Sequence, residues 1–292
     1  MPASVHVLLH SVIDYAGTFP PAQLSLPAAM AAYARAASGP DAAMLGRFVL
    51  PASQLEECAR LADRSAHTGR SPWPLSVVVG DAALDLSRVT AFDRRPGGAK
   101  IRAVEFGPGQ AAAIGAVVER IPGGVEAFFE LPLDADLEAR IDDVARHGAL
   151  AKVRTGGTVA DAVPPAAEVV RFMRACRSSH VAFKATAGLH HAFCGSYPLT
   201  YDADSARGRM FGFLNVAVAA ALVQADGSPE EATAALGEPS PRAFAFGETG
   251  LVWKDRVISL TALGDTRRHL FRSFGSCAFQ EPIEELAQLG ML

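Results

Sequence analysis

Short apolar runs alternate with segments of helical periodicity along most of the chain. Strands that alternate with helices in this way are typical of parallel strands joined by right-handed crossovers. The runs that we predict to be strands are His6–Ile13, Met44–Leu50, Leu75–Val79, Ile101–Phe106, Val125–Leu131, Leu150–Val153, Val181–Ala185 and Leu270–Phe274. Eight such units in 292 residues predict an α/β fold, a single (β/α)8 TIM barrel over 1–292, with an open doubly wound sheet as the alternative.

The segments between these runs have the spacing of amphipathic helices. In 165–176 the apolar residues fall at i, i+3, i+4 and i+7, on one helix face, and 55–62 and 137–144 repeat this pattern. A last helix is predicted to begin at a proline and to cover Pro282–Leu289. The apolar helix around Phe211–Val223 packs either inside the fold or against a partner subunit, and the second arrangement would make a homo-oligomer.

One stretch interrupts the alternation shortly before the last predicted strand. The sequence AFAFGETGLVWKDRVISL, 243–260, contains strand-like runs that are split by Gly-Glu-Thr-Gly and by Lys-Asp. Turn residues between short apolar runs are typical of antiparallel strands. We therefore predict a small β-hairpin or meander at about 242–262, inserted before the last barrel strand.

Composition and net charge limit the classes of partner that this protein is expected to bind. The formal net charge is -4 and basic residues form no dense cluster, which argues against a nucleic-acid surface. We find no leader-like start and no apolar run of about 18 residues, so we expect no membrane association. The four cysteines lack metal-finger spacing, and we expect no disulfide framework. We interpret Cys58 and Cys176 as core thiols, because both fall on apolar helix positions. We expect a cytoplasmic protein that acts on a small-molecule substrate.

Polar side chains stand near the ends of several predicted strands. In a TIM barrel the chemistry gathers at the carboxyl ends of the strands. Strand side chains alternate, so if Lys152 points into the barrel, Arg154 also points inward at its mouth. The candidates are Asp14, Arg47, Glu105, Glu130, Lys152, Arg154, Lys184, His190 and His191.

Two lysines are the most informative of these candidates. The chain has four lysines against 23 arginines, yet Lys152 and Lys184 both lie inside apolar runs. A buried ammonium is costly unless it is paired, and arginine is the better residue for a structural ion pair. Lysine offers a pKa that burial and a neighbouring cation lower, and the neutral amine attacks carbonyls to form a Schiff base. We therefore expect one lysine to stay charged and to lower the pKa of the other.

Both lysines are followed by a glycine four positions later. Lys152 precedes Val-Arg-Thr-Gly-Gly, and Lys184 precedes Ala-Thr-Ala-Gly-Leu. A third turn, Gly275-Ser276, follows the last predicted strand. Glycine lets backbone N–H groups approach a ligand closely, and barrels often bind phosphate after strands seven and eight. The predicted substrate-binding residues of these turns are Thr155, Gly156, Gly157, Gly188, Gly275 and Ser276.

This pattern resembles the class I deoxyribose-phosphate aldolase family, within the Schiff-base aldolase superfamily. That family carries K-x-x-T-G on barrel strand six, a proline that starts a helix, K-x-x-x-G on strand seven and a glycine-serine turn near the C-terminus. The matching residues are Lys152, Thr155 and Gly156, then Pro164 and Pro165, then Lys184 and Gly188, and finally Gly275 and Ser276. The resemblance covers roughly 150–191 and, more loosely, 270–290.

The resemblance implies a lyase in which Lys152 forms the Schiff base and Lys184 lowers its pKa. Glu105 is the nearest match to the family's proton-relay aspartate, and Asp14 loosely matches an aspartate near the family's start. His190 or His191 is an additional acid or base, because histidine titrates near neutral pH.

The substrate expected from these residues is a small anionic carbonyl compound, either phosphorylated or carboxylated. Arg47 and Arg154 are the residues that would grip a carboxylate. Glu130 is a further substrate-binding candidate, and Glu105, Glu130 or Asp14 would move protons through water. Arg47 could instead form a structural ion pair with Glu105 or Glu130 inside the barrel.

Two other functions remain open at this point. In the first, Asp14, Glu105 and Glu130 hold Mg²⁺ or Mn²⁺, and the two lysines act as acid and base on an enolate in a lyase or isomerase. In the second, the barrel is a binding or structural protein whose lysines and histidines form a static polar network. The Schiff-base hypothesis requires no cofactor.

Overall fold

The computed structural model describes residues 1–64, 72–111 and 114–292. The strands are β1 Ile13–Tyr15, β2 Leu45–Pro51, β3 Trp73–Val79, β4 Ala99–Phe106, β5 Glu126–Glu130, β6 Leu150–Arg154, β7 Phe183–Thr186, β8 Gly195–Pro198, β9 Arg207–Met210, β10 Phe244–Phe246, β11 Gly250–Trp253, β12 Arg256–Ser259 and β13 Phe271–Ser276. The helices are α1 Ala3–Leu9, α2 Leu26–Ala37, α3 Leu55–Arg64, α4 Ala82–Asp93, α5 Ile114–Val118, α6 Leu137–Arg146, α7 Ala166–Ser178, α8 Phe213–Gln224, α9 Pro229–Leu236, α10 Leu260–His269 and α11 Gln280–Gln288.

Within the described residues, eight parallel strands close a barrel. Their order around it is β1, β2, β3, β4, β5, β6, β7 and β13, and β13 pairs with β1 to complete the ring. Helices lie between successive strands, as right-handed crossovers require. The predicted TIM barrel is therefore confirmed, and the open sheet is not the fold.

The first predicted strand is wrong. The first half of the segment His6–Ile13 lies in α1, and β1 begins only at Ile13. Val5, Leu8 and Leu9 are buried at spacings of three and four, which is the period of a helix rather than of a strand. The short apolar run concealed this period, because helix and strand are hard to distinguish over so few residues.

Two antiparallel additions extend the barrel. The predicted insertion is a three-stranded meander, β10 to β12, placed before the last barrel strand. A hairpin of β8 and β9, which the pattern did not indicate, follows β7. It brings Leu199 and Met210 over the carboxyl ends of the barrel strands, where both side chains are buried.

The apolar helix α8 packs inside the chain. Its residues from Phe213 to Val223 are all buried, and it lies against α7, α9 and α10. Cys58 and Cys176 are buried free thiols, as predicted. None of the helices in the described part of the chain is long and apolar enough to cross a membrane.

Candidate active site

Both candidate lysines lie in one row of residues that crosses four neighbouring strands. Glu130 on β5 is level with Lys152 on β6, which is level with Lys184 on β7 and then Ser273 on β13. Because strand side chains alternate between faces, residues in one row point to the same side. All of them are buried polar side chains. The barrel therefore brings the two lysines together inside it.

Lys184 is the more tightly held lysine. Its Nζ lies 2.7 Å from Asp14 Oδ2 and 2.6 Å from Glu105 Oε1. Ser273 donates to the same Asp14 oxygen at 2.8 Å, and Ser76 donates to Glu105 Oε1 at 2.6 Å. Burial by itself lowers the pKa of the Lys184 ammonium, but Asp14 and Glu105 outweigh burial and raise it. Lys184 therefore stays protonated.

Lys152 makes longer contacts than Lys184. Its Nζ lies 3.3 Å from Glu130 Oε2 and 3.6 Å from Glu105 Oε2. Glu105 thus stands between the two lysines, with one carboxylate oxygen toward each. Burial raises the pKa of Glu105, but the charges of Lys184 and Lys152 and hydrogen bonds from Lys184 and Ser76 lower it to about 2. Glu105 is a permanent anion at neutral pH.

A cavity of about 380 Å³ opens over these groups at the carboxyl ends of the strands. Lys152, Lys184, Glu105, Glu130 and Arg154 form its charged floor and side. Glu130 joins Lys152 to Arg154, whose half-exposed side chain places Nε 3.3 Å from Glu130 Oε1. Val49 and Val78 line the cavity from β2 and β3. The apolar lining residues that lie outside the barrel strands or on the β8–β9 hairpin include Phe19, Pro20, Pro21, Leu199 and Met210.

The glycines after the two lysine strands serve mainly to bring two turns together. A Cβ on Gly156 would lie 2.9 Å from Gly188 Cα, and Gly188 has a φ of +75°. Thr155 Oγ1 donates to Ala187 O at 2.7 Å across the same contact. The repeated glycine at the fourth position therefore has a packing cause, since backbone meets backbone there.

The predicted turn residues fall into two groups. Gly157, Gly188 and Gly275 line the cavity. Thr155, Gly156 and Ser276 lie outside its lining and hold the turns, with the Ser276 hydroxyl donating to Ala278 O at 2.7 Å.

The two histidines face different surroundings. His190 lines the cavity, and its Nδ1 lies 3.2 Å from Glu281 Oε2. This contact leaves Nε2 as the ring nitrogen available to the cavity. His191 lies outside the lining; it stacks on Tyr197 with ring centroids 3.4 Å apart, and its Nδ1 is 3.4 Å from Glu285 Oε2.

Glu281 is a site residue that the sequence reasoning missed. Burial raises its pKa, but hydrogen bonds from His190 and Tyr201 outweigh burial and lower it. Glu281 and Glu285 are four residues apart on α11, so one helix face meets two consecutive histidines. The spacing of Glu281 and Glu285 was the one feature of the sequence that could have indicated these contacts.

Arg47 does not enter this cavity. It is the third residue of β2, near the amino end of the strand, and lines a second cavity of about 450 Å³ at the opposite end of the barrel. There it pairs with Glu126, which also binds Arg272, rather than with Glu105 or Glu130. Asp14 also reaches this second cavity, and it accepts a hydrogen bond from the Arg47 backbone N–H at 2.9 Å.

The three carboxylates predicted as alternative metal ligands are already engaged by cations. Asp14 and Glu105 bind Lys184, and Glu130 lies between Lys152 and Arg154. A divalent ion would have to displace these ammonium and guanidinium groups. The donor set is therefore a poor fit for Mg²⁺ or Mn²⁺, which take free carboxylate and water oxygens. No grouping of His, Cys, Asp and Glu suited to a metal ion occurs among the described residues.

No protein-family model matches the chain, and no curated protein is significantly similar to it. The resemblance to the deoxyribose-phosphate aldolase family therefore rests on the motif residues alone.

Proposed function

We propose that the chain is a Schiff-base-forming aldolase or lyase that acts on a small carbonyl compound, with Lys152 as the nucleophile. The observation that carries this proposal is the position of Lys152 in the cavity, opposite the protonated Lys184, with Glu105 between the two. Lysine pairs of this kind suit carbonyl chemistry, because one amine attacks while a neighbouring cation disfavours its protonation.

The choice of Lys152 over Lys184 follows from their contacts. An ammonium cannot attack a carbonyl, and two carboxylates within 2.7 Å keep Lys184 in that form. Lys152 has only longer contacts, of 3.3 and 3.6 Å. It is therefore the lysine that loses a proton with less loss of hydrogen bonding.

The proposed reaction begins with attack by Lys152 on the carbonyl group of the substrate. The lone pair of the neutral Lys152 amine forms a C–N bond to the carbonyl carbon, and the C=O π pair moves onto oxygen, which takes a proton. The nitrogen gives up one proton, and protonated hydroxyl leaves as water when the C=N bond forms. In cleavage, the electrons of the adjacent C–C bond then move into the iminium to give an enamine, while the second fragment leaves as a carbonyl after its hydroxyl loses a proton.

Glu130 and His190 are the proposed proton carriers. Glu130 Oε2 is 3.3 Å from Lys152 Nζ, near enough to exchange a proton with the nitrogen directly or through one water. His190 lines the cavity with Glu281 behind its Nδ1, so its other nitrogen is available to a bound hydroxyl. Glu105 and Asp14 keep Lys184 charged and in place.

The test is borohydride reduction in the presence of small aldehydes and ketones, followed by intact mass and peptide mapping. We expect one adduct, on Lys152, and none in Lys152→Gln. The chain supplies its own controls, because Lys100 and Lys254 are the only other lysines and both lie at the surface. Equal labelling of all four lysines, or none at Lys152 in the folded protein, would contradict the proposal. Activity that is lost on chelation and restored by Mg²⁺ would favour the metal-assisted alternative instead.

A further inference from the structure

We infer that the cavity takes an uncharged carbonyl compound with an apolar substituent, rather than a phosphorylated or carboxylated one. The inference rests on the proposed function, because it names the substrate class of the same site. It departs from the anionic substrate that the sequence pattern led us to expect. Three observations support the inference: the balance of charges at the base of the cavity, the apolar side chains of its outer part, and the hydrogen bonding of the glycine-serine turn.

The charged groups at the base and side of the cavity form one continuous chain of ion pairs. Each cation lies within 3.6 Å of a carboxylate, and the described residues of the network carry as many positive as negative charges. Attack requires Lys152 as a neutral amine, and the network then carries one net negative charge. An anionic substrate would be repelled by that charge and would have to compete with carboxylates that already bind the cations. The members are the cations Lys152, Arg154 and Lys184 and the carboxylates Asp14, Glu105 and Glu130.

The outer part of the cavity is apolar. The segment after β1 supplies Phe19, Pro20 and Pro21, and the hairpin of β8 and β9 supplies Leu199 and Met210. Leu199 and Met210 are only 4% and 3% exposed, so they are packed as a wall rather than held out in solvent. A hydrocarbon group bound against this wall gains roughly 0.8 kcal/mol for each methylene that it buries.

The turn that the sequence pattern assigns to phosphate is poorly equipped for an anion. The Ser276 hydroxyl donates to Ala278 O at 2.7 Å and so is engaged within its own turn. The next residue, Cys277, lines the cavity with a thiol whose pKa burial raises, so it presents no charge. His190 enters from the other side with the carboxylate of Glu281 behind it, which adds negative charge near this point.

The first experiment compares reductive trapping at Lys152 by 3-methylbutanal and by glyceraldehyde 3-phosphate. Each rate is divided by that of the same aldehyde with free butylamine, which removes the difference in intrinsic reactivity. We expect the normalised rate to be at least about tenfold higher for 3-methylbutanal, since one or two methylenes give discrimination of this order. Inorganic phosphate should not slow the trapping.

A higher normalised rate for the phosphorylated aldehyde, or competition by inorganic phosphate, would overturn the inference and leave Schiff-base chemistry standing. The second measurement does not depend on that chemistry. Saturation-transfer NMR on a folded Lys152→Met protein should detect 4-methylpentan-2-one in the cavity and should not detect glycerol phosphate. Binding of glycerol phosphate alone would reject the apolar substrate class even if no adduct ever formed.

Variants of the wall localise the effect. Leu199→Ala and Met210→Ala should each lower the normalised trapping rate of 3-methylbutanal several-fold and leave that of acetaldehyde within twofold. Leu84→Ala, at a leucine that is 53% exposed, is the matched control and should change neither rate. If the wall variants slow acetaldehyde and 3-methylbutanal equally, the wall does not select the substituent and the inference fails.

Discussion

Lys152 and Lys184 stand directly opposite each other on neighbouring parallel strands, and Glu105 presents one oxygen to each. The pair is asymmetric. Lys184 is fixed by two short contacts to carboxylates, whereas Lys152 is held loosely and faces the cavity. Under the proposed function, Lys184 is the structural cation and Lys152 the reactive amine, and these roles can be tested on each lysine separately.

The cation of Lys184 should be essential for stability. In Lys184→Met, Asp14 and Glu105 would remain buried without their main partner, and breaking a buried pair from one side costs about 3–5 kcal/mol. Urea denaturation should show this loss, whereas Lys100→Met, at a half-exposed surface pair, should lose less than about 1 kcal/mol. Equal losses in the two variants would contradict the assignment of Lys184 as the buried structural cation.

Removal of the Lys184 charge should also alter the pH dependence of trapping. In Lys184→Ala protein that remains folded, we expect the pH optimum for adduct formation at Lys152 to move upward, because no neighbouring cation then disfavours protonation of the amine. The rate of adduct formation between pH 6 and 10 measures this. An unchanged profile would remove the proposed electrostatic role of Lys184.

Glu105 should make the free energy of unfolding depend on pH. Its pKa falls from an ordinary 4.5 to about 2 in the folded protein, so the ionised form stabilises the fold above about 4.5 and this contribution is lost as the pH falls toward 2. Glu105→Gln should therefore lower the free energy of unfolding by about 3–5 kcal/mol at pH 7 and weaken its decline below pH 4.5. Denaturation curves at pH 7, 5 and 3.5 test this, with the exposed Glu119→Gln as control. If the free energy of unfolding declines with falling pH equally in Glu105→Gln and Glu119→Gln, Glu105 is not the source of this pH dependence.

The contact between the two glycine turns should tolerate no side chain. In Gly156→Ala, the new Cβ would meet the Gly188 backbone at 2.9 Å, and backbone cannot yield as a flexible side chain does. We expect a loss of about 1–3 kcal/mol. Gly123→Ala is the control, because nothing lies within 4 Å of a Cβ there. If both variants have the same thermal midpoint, the turns are not closely packed.

Much of this site could be predicted from sequence, for a simple physical reason. The strand period of two places Lys152 and Arg154 on one side, and parallel strands bring their carboxyl ends to one end of a barrel. The same rules do not say at which end an arginine inside a strand will lie. Arg47 stands three residues into β2, and that short distance along the strand puts it in the opposite cavity.

Contacts that join distant parts of the chain carried no such signal. His190 meets Glu281 across 91 residues, and Gly156 meets Gly188 only because two turns converge. The helix α1 was missed because seven residues are too few for the helical period to exceed that of a strand. The hairpin of β8 and β9 has half-exposed strands with few apolar residues, so the pattern of apolar and polar positions did not predict it.

His190 should act on protons after the imine has formed. We expect His190→Gln to leave borohydride trapping at Lys152 within about twofold, but to slow exchange of the α-protons of bound 4-methylpentan-2-one in D₂O by about a hundredfold, the usual contribution of a general base. Glu281→Gln should slow the exchange less, because Glu281 only orients the ring. Glu284→Gln, exposed on the same helix, and His191→Gln, outside the cavity, are the controls. A structural role for His190 would lower thermal stability and trapping together, whereas the proton-transfer role changes exchange alone.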